Sequence, residues 1–249
     1  MWPSLQRWWG VILILVAVCA TVWLAVTQQL VLYIHPRYVV FTVVMAVIAL
    51  VLGVLSVTVR PANTEESETP RGWSRIVGGV ALLLSGAVAL TLVVVPPATL
   101  SSATASQRDI VGSTVGSDSQ NVDEVANADD ELIASFTVVD WSSLLRQTSD
   151  PSFYANKTAD VVGFITASDE DPSNIFYLSR FTVTCCAVDA QPTGVAVYAP
   201  DWQNEFEVDS WVEVTGSFET NPSSRSDLPL VLVPETMTAV ERPSEPYLY

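Results

Sequence analysis

Long apolar segments fill most of the first hundred residues. Residues 8–26, 38–59 and 76–95 contain no charged side chain, and about 20 apolar residues in a helix cross the hydrocarbon layer of a membrane. A helix also satisfies its own backbone hydrogen bonds there. The pattern therefore predicts three transmembrane helices within residues 1–97. A cleaved signal peptide is the alternative for the first segment, although signal peptides have apolar runs of only about 7–15 residues.

Arginine residues flank these segments unevenly. Arg7 precedes the first one and Arg60, Arg71 and Arg75 follow the second, whereas Arg37 alone lies between the first and the second. Because basic residues resist translocation, the N-terminus is expected in the cytoplasm. An odd number of crossings then places the C-terminal part outside the plasma membrane.

Beyond Pro97 the apolar pattern stops. Residues 98–130 are rich in Ser, Thr, Ala, Gly and Asp, and such a composition buries too little apolar surface to offset the entropy of ordering the chain. These residues are predicted to form a flexible acidic linker.

Short runs of β-branched and aromatic residues follow in residues 131–249. Separated by Asp, Asn, Pro, Ser and Gly, they are typical of antiparallel strands, and Asp140 is expected to cap a short helix. The predicted strands are 133–138, 159–167, 175–184, 194–199, 210–218 and 230–240. Five or six strands predict a small closed barrel of the oligonucleotide/oligosaccharide-binding (OB) type. The expected fold class is thus membrane α plus β: three transmembrane helices followed by an extracytoplasmic all-β, OB-like domain.

Charge separates the two halves of the 249-residue chain, whose net charge is −16. Residues 1–100 hold five Arg and three Glu, whereas residues 101–249 hold six basic and 24 acidic side chains. The acidic half lacks the basic surface that a phosphate backbone requires, which excludes nucleic acid as a partner. The lipid bilayer is the partner expected around the apolar segments.

Two adjacent cysteines, Cys185 and Cys186, are the most informative polar feature. Neighbouring cysteines form a disulfide only in a strained ring, and successive strand residues face opposite sides, so one sulfur is expected in the core. Three interpretations follow: reduced core thiols, a metal or metalloid site, or a redox site. A turn could bring Asp189 to the thiols, and two sulfurs with one carboxylate would make a three-ligand set for a thiophilic metal ion. No other cofactor is expected.

Enzyme activity is not expected. The chain has a single histidine, His35, which Pro36 places in a turn between the first two apolar segments. A Ser-His-Asp triad is therefore excluded, and a cysteine nucleophile would lack its usual histidine base. The carboxylates of Asp169, Glu170 and Asp171 lie in turn-like sequence and are expected to be solvated.

Three stretches carry a resemblance to a known family: YIHPR at 33–37, PPATLSS at 96–102 and RFTVTCCAVDA at 180–190. With these the chain resembles the YcgQ-like family of bacterial permease subunits. The resemblance implies a plasma-membrane protein paired with a separate multi-helix permease for a metal ion or metalloid. We therefore expect an accessory permease subunit; the alternative is a membrane-anchored metal-binding or redox-sensing module that acts without a permease.

Overall fold

The protein is described by a computed structural model, which covers residues 2–58, 80, 87, 100–107, 121–125 and 129–249. The chain divides into two compact units, Met1–Ala98 and Thr99–Tyr249. Each unit has its own local architecture.

Two long helices, α1 (Trp2–Val26) and α2 (Val39–Thr58), form the described part of the N-terminal unit. Between them, the imidazole Nδ1 of His35 accepts a hydrogen bond from the amide of Arg37 at 3.2 Å. His35 therefore caps the 3-10 turn Pro36–Tyr38, which confirms the prediction that the histidine serves a turn.

The prediction of three transmembrane helices is wrong. Among the described residues, one helix, Pro36–Ser56, is long and apolar enough to cross a membrane. In α1, Val11–Val26 is found as a shorter apolar helix, of the 10–17-residue class. The third predicted segment, 76–95, lies outside the described residues except for Val80 and Ala87, which are helical.

Short helices open the C-terminal unit. They are α3 (Ser102–Ala105), α4 (Val122–Val125), α5 (Asp130–Ala134), α6 (Val138–Gln147) and α7 (Pro151–Tyr154). The predicted strand at 133–138 is therefore wrong, because side-chain caps start helices on both sides of it. The Asp129 carboxylate accepts from the Leu132 amide at 3.0 Å, and Asp140 accepts from the amide of Thr137 at 2.8 Å. Thr137, not Asp140, is the N-cap of α6.

Six strands then form one mixed sheet. They are β1 (Thr158–Ala167), β2 (Ile175–Thr182), β3 (Gln191–Tyr198), β4 (Trp211–Thr220), β5 (Leu230–Ala239) and β6 (Tyr247–Leu248). The sheet order β1-β4-β5-β3-β2-β6, with β1 also paired to β2, closes a ring of five strands. Two pairings are parallel, β3 with β5 and β2 with β6. A β-rich C-terminal domain is compatible with the prediction, but the sheet is not purely antiparallel and the helices make the domain more than all-β.

Two glycines allow the barrel wall to bend. The β4–β5 register shifts between Thr215 and Gly216, and a Cβ atom on Gly216 would collide with the carbonyl oxygen of Val233. A Cβ atom on Gly163 in β1 would lie 2.8 Å from the carbonyl oxygen of Ser179 in β2. Both positions therefore require close approach of two backbones, as expected for glycine within a curved strand.

The predicted linker, 98–130, is not free in its described parts. The amide of Leu100 donates to the Tyr247 hydroxyl at 3.2 Å, and the amide of Ser102 donates to Asp209 at 2.6 Å. Val125 is fully buried in the main hydrophobic core of the C-terminal unit. Residues 108–120 and 126–128 lie outside the described residues, so the flexible linker stays a prediction there.

Candidate metal centre

The two adjacent cysteines lie in the hairpin loop between β2 and β3, residues 183–190. The strands end opposite each other at Thr182 and Gln191. Val183 and Ala190, the first and last residues of the loop, are buried. The residues between them therefore project from a fixed base at one end of the hairpin.

Asp189 fixes the backbone of the loop. Its Oδ1 accepts a hydrogen bond from the amide of Thr184 at 3.1 Å, and its Oδ2 accepts from the amides of Cys185 and Cys186 at 2.8 and 3.2 Å. Successive amides that converge in this way form a cradle for an anion, and here the carboxylate of the same loop fills it. The carboxylate thereby holds both cysteines in place.

Both sulfurs are accessible and reduced. Cys185 is exposed, Cys186 is half-buried, and neither is in a disulfide; their Sγ atoms lie 3.7 Å apart. The prediction that one sulfur enters the core is wrong, because β2 ends at Thr182 and the alternation of strand side chains no longer applies. The interpretation that the two cysteines are reduced core thiols is therefore wrong as well.

A three-ligand cluster results. Ligand atoms of Cys185, Cys186 and Asp189 all lie within 4.8 Å of one another. In the part of the chain that the structure describes, they form the one group of His, Cys, Asp or Glu side chains close enough together to hold a metal ion. The turn predicted to bring Asp189 to the thiols is thus present as the 3-10 turn Ala187–Asp189, whereas metal binding stays a prediction.

The charge of Asp189 sets the protonation of its neighbour. Its hydrogen bond with the Cys185 thiol, followed by the contact with Cys186, raises the pKa of Cys185 to about 12. Burial by itself would raise the pKa of Asp189. The hydrogen bonds from the Cys185 thiol and from the three amides outweigh that effect, so the pKa of Asp189 lies below its ordinary range. At neutral pH an ionised carboxylate therefore lies beside a protonated Cys185, and a bound cation must displace the thiol proton.

A second carboxylate, Asp171, does not behave as expected. It is 1% exposed and accepts hydrogen bonds from the Ser223 hydroxyl at 2.6 Å and from the Asn174 amide at 2.8 and 2.9 Å. The guanidinium of Arg225 lies 3.6 Å away. Asp171 therefore joins the β1–β2 loop to the β4–β5 loop instead of being solvated. The spacing of Asp171 and Asn174 around Pro172 is the sequence signal of this turn.

Comparison with known proteins places the chain in a family. No curated protein matches it. The DUF1980 N-terminal domain matches residues 10–111, and the DUF1980 C-terminal domain matches residues 117–249, which include the whole barrel and the thiol loop. With more than half of its length in the second match alone, the chain belongs to the DUF1980 family.

Proposed function

We propose that this chain is an accessory subunit of a bacterial membrane permease, and that its C-terminal domain captures or hands over a thiophilic metal ion or metalloid. Cys185, Cys186 and Asp189 supply the ligands. The observation that carries the proposal is the convergence of these three ligand atoms within 4.8 Å on a loop whose thiols are accessible. Thiolate sulfur favours soft ions such as Zn²⁺ and Cu⁺ over Mg²⁺ and Ca²⁺.

The charge of the domain favours a cation as cargo. Residues 101–249 carry 24 acidic and six basic side chains, and a surface of one sign raises the local concentration of ions of the opposite sign. The same acidic surface would repel an anionic cargo.

The proposal includes a location at the plasma membrane with the C-terminal domain outside the cytoplasm. The apolar helix Pro36–Ser56 supports membrane attachment, and the scarcity of basic residues in residues 101–249 favours translocation. Protease added to intact cells is expected to digest the C-terminal domain. Protection in intact cells, with digestion after lysis, would place the domain in the cytoplasm.

Metal content tests the ligand set. The full chain, purified in mild detergent and equilibrated with Zn²⁺ or Cu⁺, is expected to hold about one ion per chain. Cys185→Ser/Cys186→Ser is expected to hold almost none, while Cys19→Ser, which removes the cysteine of α1, keeps the ion. Equal metal content in all three proteins would contradict the proposal.

A second candidate is a self-sufficient metal-binding or redox-sensing module. It is favoured by one observation, the exposure of Cys185 beside a second reduced thiol. Cross-linking in cells followed by mass spectrometry separates the two functions. A multi-helix membrane protein cross-linked to this chain, whose ion transport falls when the chain is deleted, supports the permease subunit. An intact ion-binding chain without such a partner supports the module.

A further inference from the structure

The distance between the two sulfurs points to the class of ion. On the basis of the proposed function, we infer that the site binds a divalent ion that prefers tetrahedral coordination; Zn²⁺ is the ion used to test this. The site leaves one of the four coordination positions open to an exchanging ligand.

The angle at the ion follows from the separation of the sulfurs. They lie 3.7 Å apart, and with metal–sulfur bonds of about 2.3 Å this separation sets a sulfur–metal–sulfur angle of about 107°. The tetrahedral angle is about 109°. A linear ion such as Cu⁺ with bonds of similar length would need sulfurs about 4.6 Å apart, so the separation of the two sulfurs fits a tetrahedral ion better than a linear one.

Asp189 can provide the third ligand without releasing the loop. The hydrogen bond from the Cys185 thiol is lost when that thiol gives up its proton to the incoming ion. Of the bonds that remain, Oδ1 accepts one from an amide, whereas Oδ2 accepts two. A carboxylate oxygen has two lone pairs, so Oδ1 keeps one for an ion while the cradle of amides stays intact. Asp189 is then both a ligand and a positioning residue.

The described residues add no His, Cys, Asp or Glu ligand at the fourth position. Cys185 is exposed, so the open position can be reached from solvent. Closed structural zinc sites use four protein ligands, whereas open sites use three and admit water or another molecule. An incoming ligand can therefore bind the ion before the thiolates leave, which suits an ion that is passed on. The two thiol protons go to solvent when the ion binds and return when it departs.

X-ray absorption at the zinc edge tests this coordination in the full chain. We expect two sulfurs at about 2.3 Å and two oxygen or nitrogen ligands at about 2.0 Å. Co²⁺ in place of Zn²⁺ should give the intense visible bands of tetrahedral cobalt. Four sulfurs around zinc, which would require two chains, or octahedral cobalt would overturn the inference.

Affinity measurements add a matched pair of variants. Asp189→Asn is expected to weaken Zn²⁺ binding by about 10- to 100-fold, whereas Asp169→Asn, the same charge change at an exposed loop residue, should leave it within about twofold of the wild type. Circular dichroism verifies that both variants fold. Unchanged affinity in folded Asp189→Asn would remove Asp189 from the ligand set and overturn the three-ligand site.

The inference and the proposed function fail in different ways. If the wild type binds Cu⁺ through Cys185 and Cys186 but not Zn²⁺, the choice of ion is wrong and the proposed function stands. If neither ion binds, both are wrong.

Discussion

Two aspartates each fix a loop of the same barrel by accepting hydrogen bonds, but the two carboxylates have different surroundings. Asp171 and Asp189 each accept at least three hydrogen bonds. The partners of Asp171 include side chains of another loop, and the carboxylate is sealed from solvent. The partners of Asp189 are amides of its own loop, and two of those amides belong to residues with accessible thiols.

The difference shows how a hydrogen-bonded carboxylate is assigned a role. A buried carboxylate whose lone pairs are engaged by neutral and cationic donors is fully satisfied and stabilises the fold. A half-buried carboxylate beside reactive side chains fixes them and also alters their chemistry. The surroundings of the two residues, and not the number of their hydrogen bonds, separate a structural residue from a candidate ligand.

The largest expected effect concerns the reactivity of the Cys185 thiol, which contacts Asp189. Because the hydrogen bond with Asp189, followed by the contact with Cys186, raises the pKa of Cys185 to about 12, alkylation of Cys185 by iodoacetamide should be slow at pH 8. Asp189→Asn should accelerate it on the order of 100-fold, since only the thiolate reacts. Mass spectrometry of the peptide that contains Cys185 measures the rate, and Asp171→Asn serves as the control. Equal rates in wild type and Asp189→Asn would break the contrast between the two aspartates.

Thermal stability is expected to depend more on Asp171 than on Asp189. Asp171→Ala leaves the half-buried donors of Ser223 and Asn174 without their acceptor and should lower Tm by about 8 °C. Asp189→Ala, at a half-buried loop, should lower Tm by about 2 °C. Differential scanning fluorimetry of the full chain in detergent compares them. A larger loss for Asp189→Ala would make the thiol loop the main structural support.

A smaller effect is expected in acid. Hydrogen bonds from Ser223 and then Asn174 lower the pKa of Asp171 below its ordinary value of 3.8. Its ionised form therefore stabilises the folded state above about pH 4, and that contribution is lost as pH falls through the lowered pKa. Between pH 5 and pH 3, Asp171→Asn should lose about 3 °C less in Tm than the wild type. Parallel decreases in the two proteins would assign the acid sensitivity to other carboxylates.

Local patterns predicted the barrel strands better than the segments around them. Five of the six predicted strands overlap β1 to β5, because β-branched residues and their flanking turn residues are local signals. The predicted strand at 133–138 instead holds the end of α5, a turn and the start of α6. The caps made by Asp129 and Thr137 depend on side-chain hydrogen bonds that hydrophobic alternation does not reveal.

The thiol loop was predicted in part. The spacing of Cys185, Cys186 and Asp189 indicated a turn that unites them, and the structure has that turn. The end of β2 at Thr182 was not predictable from composition, since Val183 and Thr184 are also good strand residues. Burial of Asp171 depends on Ser223, 52 residues away, and a single sequence gives no sign of such a long-range pairing.

Closure of the barrel depends on one backbone pairing, Val197 with Leu232, between β3 and β5. On the other side of β5, nine residue pairs join it to β4. A ring of strands opens first where the fewest pairs hold it, so we expect amide hydrogens at the β3–β5 junction to exchange with deuterium before those between β4 and β5.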